Sequence, residues 1–140
     1  MNTVIIMLGS NSHAETNIPL ATEKLTSGFD IIAQSSMIIT KPLGAHYVSN
    51  FQNRALKLLS DKTEEETKAF FKQIEREMGR TPESKNEGVI PIDIDMIFWN
   101  ETLVHNDYNR FDFVKVCVDE VKNQLKVNSN LLTVNKFFHK

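Results

Sequence analysis

The sequence predicts an α+β fold, an antiparallel-rich sheet with helices packed on one face, and three observations carry that expectation. Apolar runs rich in β-branched residues recur at 3–8, 51–59 and 91–99, which is strand chemistry. Two stretches with helical apolar spacing, after Asn17 and after Thr63, lie between those runs. Gly, Pro, Asn and Ser punctuate the places where the period changes, as turns require. The resulting order, β-α-β-β-α-β, is that of the ferredoxin-like group.

Taken in order, residues 3–8 are continuously apolar and read as a buried central strand. Gly9-Ser10-Asn11-Ser12 ends it in a turn, which either redirects the chain or brings backbone close to a ligand. Asn17-Ile18-Pro19 marks a helix start, Ile18, Ala21 and Leu25 its buried face, and Gly28 its end. Residues 29–39 form a long strand or one interrupted at Ala33-Gln34-Ser35-Ser36. A loop of about ten residues follows, at the upper end of ordinary connections and so a functional candidate. Residues 51–59 resume as a strand. Thr63-Glu64-Glu65-Glu66 is a capping box with an acidic first turn. Phe70, Ile74 and Met78 are expected as that helix's buried stripe, with Gly79 its stop. Residues 80–88 read as a polar loop, Leu103-Val104 as a short hairpin return, and 113–125 as a helix or a segment with an extended start.

At 140 residues the chain is long enough for one well-packed domain, expected over 1–127, with a polar tail from 128 to 140. Hydrophobic and charged contents of 41% and 24% are those of a soluble globule. A net charge of −2 gives no general attraction to nucleic acid or an anionic membrane, so neither is expected as a partner. Cys117 is the only cysteine, which excludes an intrachain disulfide and a thiolate metal cluster and suits a cytoplasmic protein. No apolar run has transmembrane length, and the opening residues lack the basic and apolar regions of a signal peptide. A monomer is favoured.

The most informative stretch is Pro91-Ile92-Asp93-Ile94-Asp95-Met96-Ile97-Phe98-Trp99. Alternation puts Asp93 and Asp95 on one strand face and Ile92, Ile94 and Met96 on the other. Aspartate is disfavoured in strands. Two of them in an apolar run are either a solvated face or paired hard-oxygen ligands for a cation such as Mg²⁺.

The pieces together resemble a known family, the 6-hydroxymethyl-7,8-dihydropterin pyrophosphokinases of folate biosynthesis. The resemblance rests on Leu8-Gly9-Ser10-Asn11, on Ser35-Ser36 followed by Thr40 and Pro42-Leu43-Gly44, and on Phe51-Gln52-Asn53. It continues through Glu75 to Gly79-Arg80 and through Gly88 to the acidic strand, Ile92-Asp93-Ile94-Asp95-Met96-Ile97. It implies transfer of a pyrophosphoryl group from MgATP to the pterin hydroxymethyl, with release of AMP. It further implies that Asp93 and Asp95 hold two Mg²⁺ ions and that Arg80 is catalytic. Thr40, Leu43 and Asn53 would bind the pterin, with Phe51 and Phe113 against its ring, although core packing is the alternative for both rings. Glu75, Lys85 and Arg110 would serve the nucleotide.

The chain departs from the family where an Arg-Trp-Gly-Pro-Arg-like run is expected, since Asn86-Glu87-Gly88-Val89-Ile90 stands there. Pro82 replaces a second arginine after Arg80, Arg110 is one residue out of place, and His105 is a poor match to a family histidine. Two alternatives therefore stand beside the enzyme: a relative that binds pterin or nucleotide without efficient turnover, and a ferredoxin-like interaction module.

Overall fold

A computed structural model describes residues 1–42 and 44–124; Leu43 and residues 125–140, which include the expected tail, lie outside the described residues. Its elements are β1 (Asn2–Ser10), α1 (Ala14–Leu25), β2 (Asp30–Gln34), β3 (Ile38–Thr40), β4 (Phe51–Ser60), α2 (Glu64–Glu77), α3 (Pro82–Asn86), β5 (Asp93–Trp99), β6 (Thr102–Leu103) and α4 (Asp107–Arg110). A further helix, α5, covers residues 112–124. The fold is α+β, as the sequence predicts. The strands form one sheet in the order β2-β4-β1-β5-β6, with β3 also paired to β4. All pairings are antiparallel.

β1 is buried on both faces, which is why its apolar run does not alternate with polar residues. Val4, Ile6, Leu8, Leu56, Leu58, Ile94 and Met96 pack with Ile18, Ala21 and Leu25 of α1 and with Phe71 and Ile74 of α2. Ile5, Met7, Ala55 and Ile97 pack with Val114, Cys117, Val118 and Val121 of α5. The second face is therefore not fully open, because α5 covers part of it. Burial pushes the Cys117 thiol up, which suits a packing role.

Several local expectations need correction. α1 begins at Ala14, three residues before Asn17, and Pro19 lies inside it. Ile18, Ala21 and Leu25 are buried as expected. The first turn holds because Asn17 Nδ2 donates to Ser12 O at 2.7 Å and the backbone N–H groups of Thr16 and Asn17 donate to His13 O. In α2 the buried stripe is Thr67, Phe71, Ile74 and Glu75. Phe70 and Met78 are only partly buried against that core. Phe70 instead meets Phe29 edge-on at 4.9 Å between ring centroids. The interrupted form of strand 29–39 is the one adopted, split into β2 and β3. The hairpin return is Thr102–Leu103, one residue early, after Asn100 turns with φ 54°.

The 80–88 segment is not all loop. Thr81 and Ser84 form a capping box around Pro82 and start α3, none of whose residues is buried. Gly79 ends α2 with φ +97°. Its N–H donates to Arg76 O and that of Arg80 to Glu75 O, the two-bond Schellman closure. That closure turns the Arg80 side chain back toward its own helix.

Candidate active site

The two carboxylates of β5 are placed by register. Asp93 pairs with Gly9 and Asp95 with Met7, while Asn53 of β4 also pairs with Gly9. Alternation therefore brings Asp93, Asp95 and Asn53 to one face of the three central strands. α5 covers the middle of that face, and only its first turn, at Phe113 and Val114, reaches this end. What remains is a cavity of about 250 Å³ lined by Gly9, Thr40, Lys41, Tyr47, Phe51, Asn53, Asp93, Asp95, Asp107, Phe111 and Phe113, with Met7, Leu8, Ile97 and Val114 beneath.

Its walls divide by chemistry. On one side Tyr47 and Phe51 meet at 5.3 Å between ring centroids, and Phe111 and Phe113 at 6.0 Å. Asn53 is 6% exposed. Its amide donates to Ile38 O at 3.1 Å and to Thr40 Oγ1 at 3.0 Å. Its carbonyl oxygen has no partner among the described residues, so a buried acceptor is left for a donor in the cavity.

The other side is acidic. Burial and then the charge of Asp93 hold the Asp95 carboxyl well above the ordinary carboxylate range, with Glu75 and Asp107 adding to the effect. Asp93 and Glu75 share Arg80, whose guanidinium donates to Glu75 Oε2 at 3.1 Å and to Asp93 Oδ1. Burial opposes the Arg80 charge, but these carboxylates outweigh it and raise its pKa. Glu75 is buried and also accepts the Ile94 backbone N–H at 2.8 Å, a strand-edge donor that β1 does not use.

Of the other sequence-predicted residues, Lys85 is exposed on α3 and does not line the cavity. Its backbone oxygen meets His46 Nε2 at 2.7 Å. Arg110 lies outside the cavity, 3.8 Å from Asp107 Oδ1 and over the Phe111 ring. Glu75 and Arg80 sit behind Asp93 and are not cavity-lining either.

Lys41, Tyr47, Asp107 and Phe111 were not singled out from sequence, and His105 was weighed only as a poor match to a family histidine. His105 Nε2 stands 4.0 Å from Asp95 Oδ1. Asp95, His105 and Asp107 can bring ligand atoms within 4.8 Å of one another. However, His105 Nδ1 accepts the Asp107 backbone N–H at 3.1 Å. With Nδ1 so engaged, Nε2 is the ring atom turned toward Asp95. The His105-x-Asp107 spacing was visible in the sequence, but only the chain's return through the β5–β6 hairpin puts it beside Asp95.

The 41–50 loop is fastened from behind. Gly88 O accepts from Asn11 Nδ2 at 2.8 Å and from Val48 N at 3.3 Å. Ile90 N donates to Asn11 Oδ1 at 2.7 Å, and Ser49 Oγ donates to Asn11 O. A Cβ on Gly88 would lie 2.1 Å from His46 O, and φ there is +75°. Gly88→Ala is therefore expected to cost about 1–3 kcal/mol of stability through a strained backbone position. Urea unfolding measures it, and a change under a few tenths of a kcal/mol would contradict the close approach.

An α+β sheet with a half-covered face, two strand carboxylates and a ring-walled polar cavity has the build of a small-molecule-binding domain. The family model described as 7,8-dihydro-6-hydroxymethylpterin-pyrophosphokinase (HPPK) matches residues 5–123. The chain belongs to that family, and its class of activity is pterin pyrophosphokinase, a function of folate biosynthesis. No curated protein matches the chain. No helix among the described residues is long and apolar enough to cross a membrane.

Proposed function

We propose that the protein transfers a pyrophosphoryl group from MgATP to the hydroxymethyl of 6-hydroxymethyl-7,8-dihydropterin and releases AMP. The observation that carries this is one cavity uniting the Asp93–Asp95 strand face with aromatic rings and the unpartnered Asn53 oxygen. A flat heterocycle with N–H donors on its edge suits the ring-walled side. Thr40 and Asn53 bind that edge and Phe51 and Phe113 cover the ring; Leu43, outside the described residues, is proposed as a third pterin-binding residue on the resemblance alone.

The acidic side fits a hard divalent cation. Two carboxylates on one strand face, with a third acid at Asp107 and Lys41 the one lysine or arginine among the described lining residues, form a donor set of carboxylate oxygens. Asp93 and Asp95 would hold Mg²⁺, read as two ions, which supply neutralisation of phosphate charge when bound. The chain's own residues then position the reactants. Arg80 fixes Asp93, and with Lys85 and Arg110 it makes up the cations proposed to serve the nucleotide. Glu75 anchors Arg80 and the β5 backbone. This reading takes the protein as a cytoplasmic monomer with small-molecule substrates only.

The test is AMP formation from MgATP and the dihydropterin. AMP appearing in step with the pterin diphosphate supports the reading. Binding of both substrates without AMP would favour a relative that lost turnover, for which the uncharged Asn86–Ile90 segment apart from Glu87 is the motive. Binding of neither would favour an interaction module.

Asn53→Ala is expected to weaken pterin binding by about 1–3 kcal/mol, because a buried ligand donor loses its acceptor. Calorimetry reads this directly; equal affinity would remove Asn53 from the pterin site.

A further inference from the structure

We propose that a second cavity, at the far end of α5, is a binding site for a small phosphate-bearing anion held by Lys57 and Lys122. This cavity, about 450 Å³, is lined by Lys57 and Lys122 together with Thr3, Phe98, Asn100 and Glu101. It lies on the α5 face, because Lys57 pairs with Ile5 in the β1–β4 register. The candidate active site lies at the other end of the same strands, beside Met7 and Gly9.

Lys57 is the anomaly. It is 7% exposed, on a central strand, and its ammonium has no hydrogen-bond or ion-pair partner among the described residues. Glu75, the other charged side chain buried to that degree, holds Arg80, Lys72 and a backbone N–H. A lysine on a central strand with so little exposed surface ordinarily has a partner for its charge. Burial, and then the charge of Lys122, lower the Lys57 pKa.

Lys122 is held at the cavity by rings, its Nζ 4.3 Å from the Phe98 centroid and 5.7 Å from that of Tyr108. The acids nearby are otherwise engaged or exposed. Asp119 pairs with Lys115 at 3.2 Å and accepts from Tyr108 Oη at 2.6 Å. Glu101 is exposed and makes no ion pair with either lysine. Lys122 also acts on Asp119, and Glu101 is an acid in the same lining, but Lys57 has no acceptor among the described residues; two lysines so placed make half of an oxyanion site. Lysines bind phosphate as point charges from several directions. The volume exceeds what a bare ion fills, so an organic phosphate is the class assigned.

The experiment titrates the full chain with inorganic phosphate at constant ionic strength and follows backbone amide shifts. Saturating changes are expected at Lys57, Asn100 and Lys122, with the midpoint raised about tenfold or more by Lys57→Gln and by Lys122→Gln. Lys122 is exposed, so its replacement keeps the fold and guards against misfolding of the Lys57 variant. Malonate at equal concentration should compete weakly. Shifts confined to the neighbourhood of Asp93 and Asp95, or unchanged midpoints in Lys122→Gln, overturn the site. A malonate response equal to that of phosphate overturns the ligand class.

Discussion

Asp95→Asn is expected to abolish metal-dependent nucleotide binding and to lower AMP formation by about a hundred- to a thousandfold, the scale on which losing one charge-stabilising group acts. The fold should be at least as stable. Asp95 is crowded by Asp93, Glu75 and Asp107 and has no lysine or arginine partner among the described residues. Asparagine keeps its size and polarity and spares the fold the cost of a carboxyl that must be crowded as an anion or take up a proton. Function and stability then move in opposite directions, a trade expected where a site concentrates like charge. Asp93→Asn should impair binding too, but with a stability loss, since Asp93 holds Arg80. The measurements are calorimetry with MgATP, AMP release, and thermal melts of both variants. Unchanged MgATP affinity in both would remove these residues from the metal site, and a large loss of stability in Asp95→Asn would contradict the crowding argument.

Arg80→Ala is expected to destabilise the protein by about 3 kcal/mol, the scale of breaking a buried ion pair from one side. The Glu75 side chain is 4% exposed and that of Arg80 23%. Removing the guanidinium leaves a buried carboxylate with Lys72 at 3.4 Å and the Ile94 N–H as its remaining partners. Asp93 loses its cation at the same time. Turnover should fall with stability, so the two effects need separating. Glu75→Gln removes the buried charge, and the Glu75→Gln/Arg80→Ala double variant should recover part of the lost stability. Urea unfolding of the set measures the coupling. A loss below about 1 kcal/mol in Arg80→Ala would place the pair on the scale of an exposed salt bridge. AMP formation unchanged in Arg80→Ala would remove Arg80 from the catalytic proposal.

Much of the candidate site was legible because its signals are local. Asp93 and Asp95 share a face by strand alternation alone, and Asn53 follows Phe51 by the same rule. The capping box at Thr63 and the glycine stop at Gly79 lie within a few residues of the hydrogen bonds they make. The misjudged stripe of α2 shows the limit of that approach. Phe70 and Phe71 are adjacent and equally apolar, and only the position of β1 and α1 decides which of them is turned inward.

The sequence by itself determined the α+β class, the strands and principal helices, the family, and the paired carboxylates, because period, caps and turn residues act over a few residues. The tertiary structure decided which face α5 covers, and hence where the face stays open. It brought His105 and Asp107 back to Asp95 through a hairpin and set Tyr47 and Phe111 on the same cavity. It bound Arg80 to two carboxylates and left Lys57 buried without an acceptor among the described residues. These are pairings between residues far apart in the chain. Their geometry depends on sheet register and on how helices seat against it, which local periodicity does not encode.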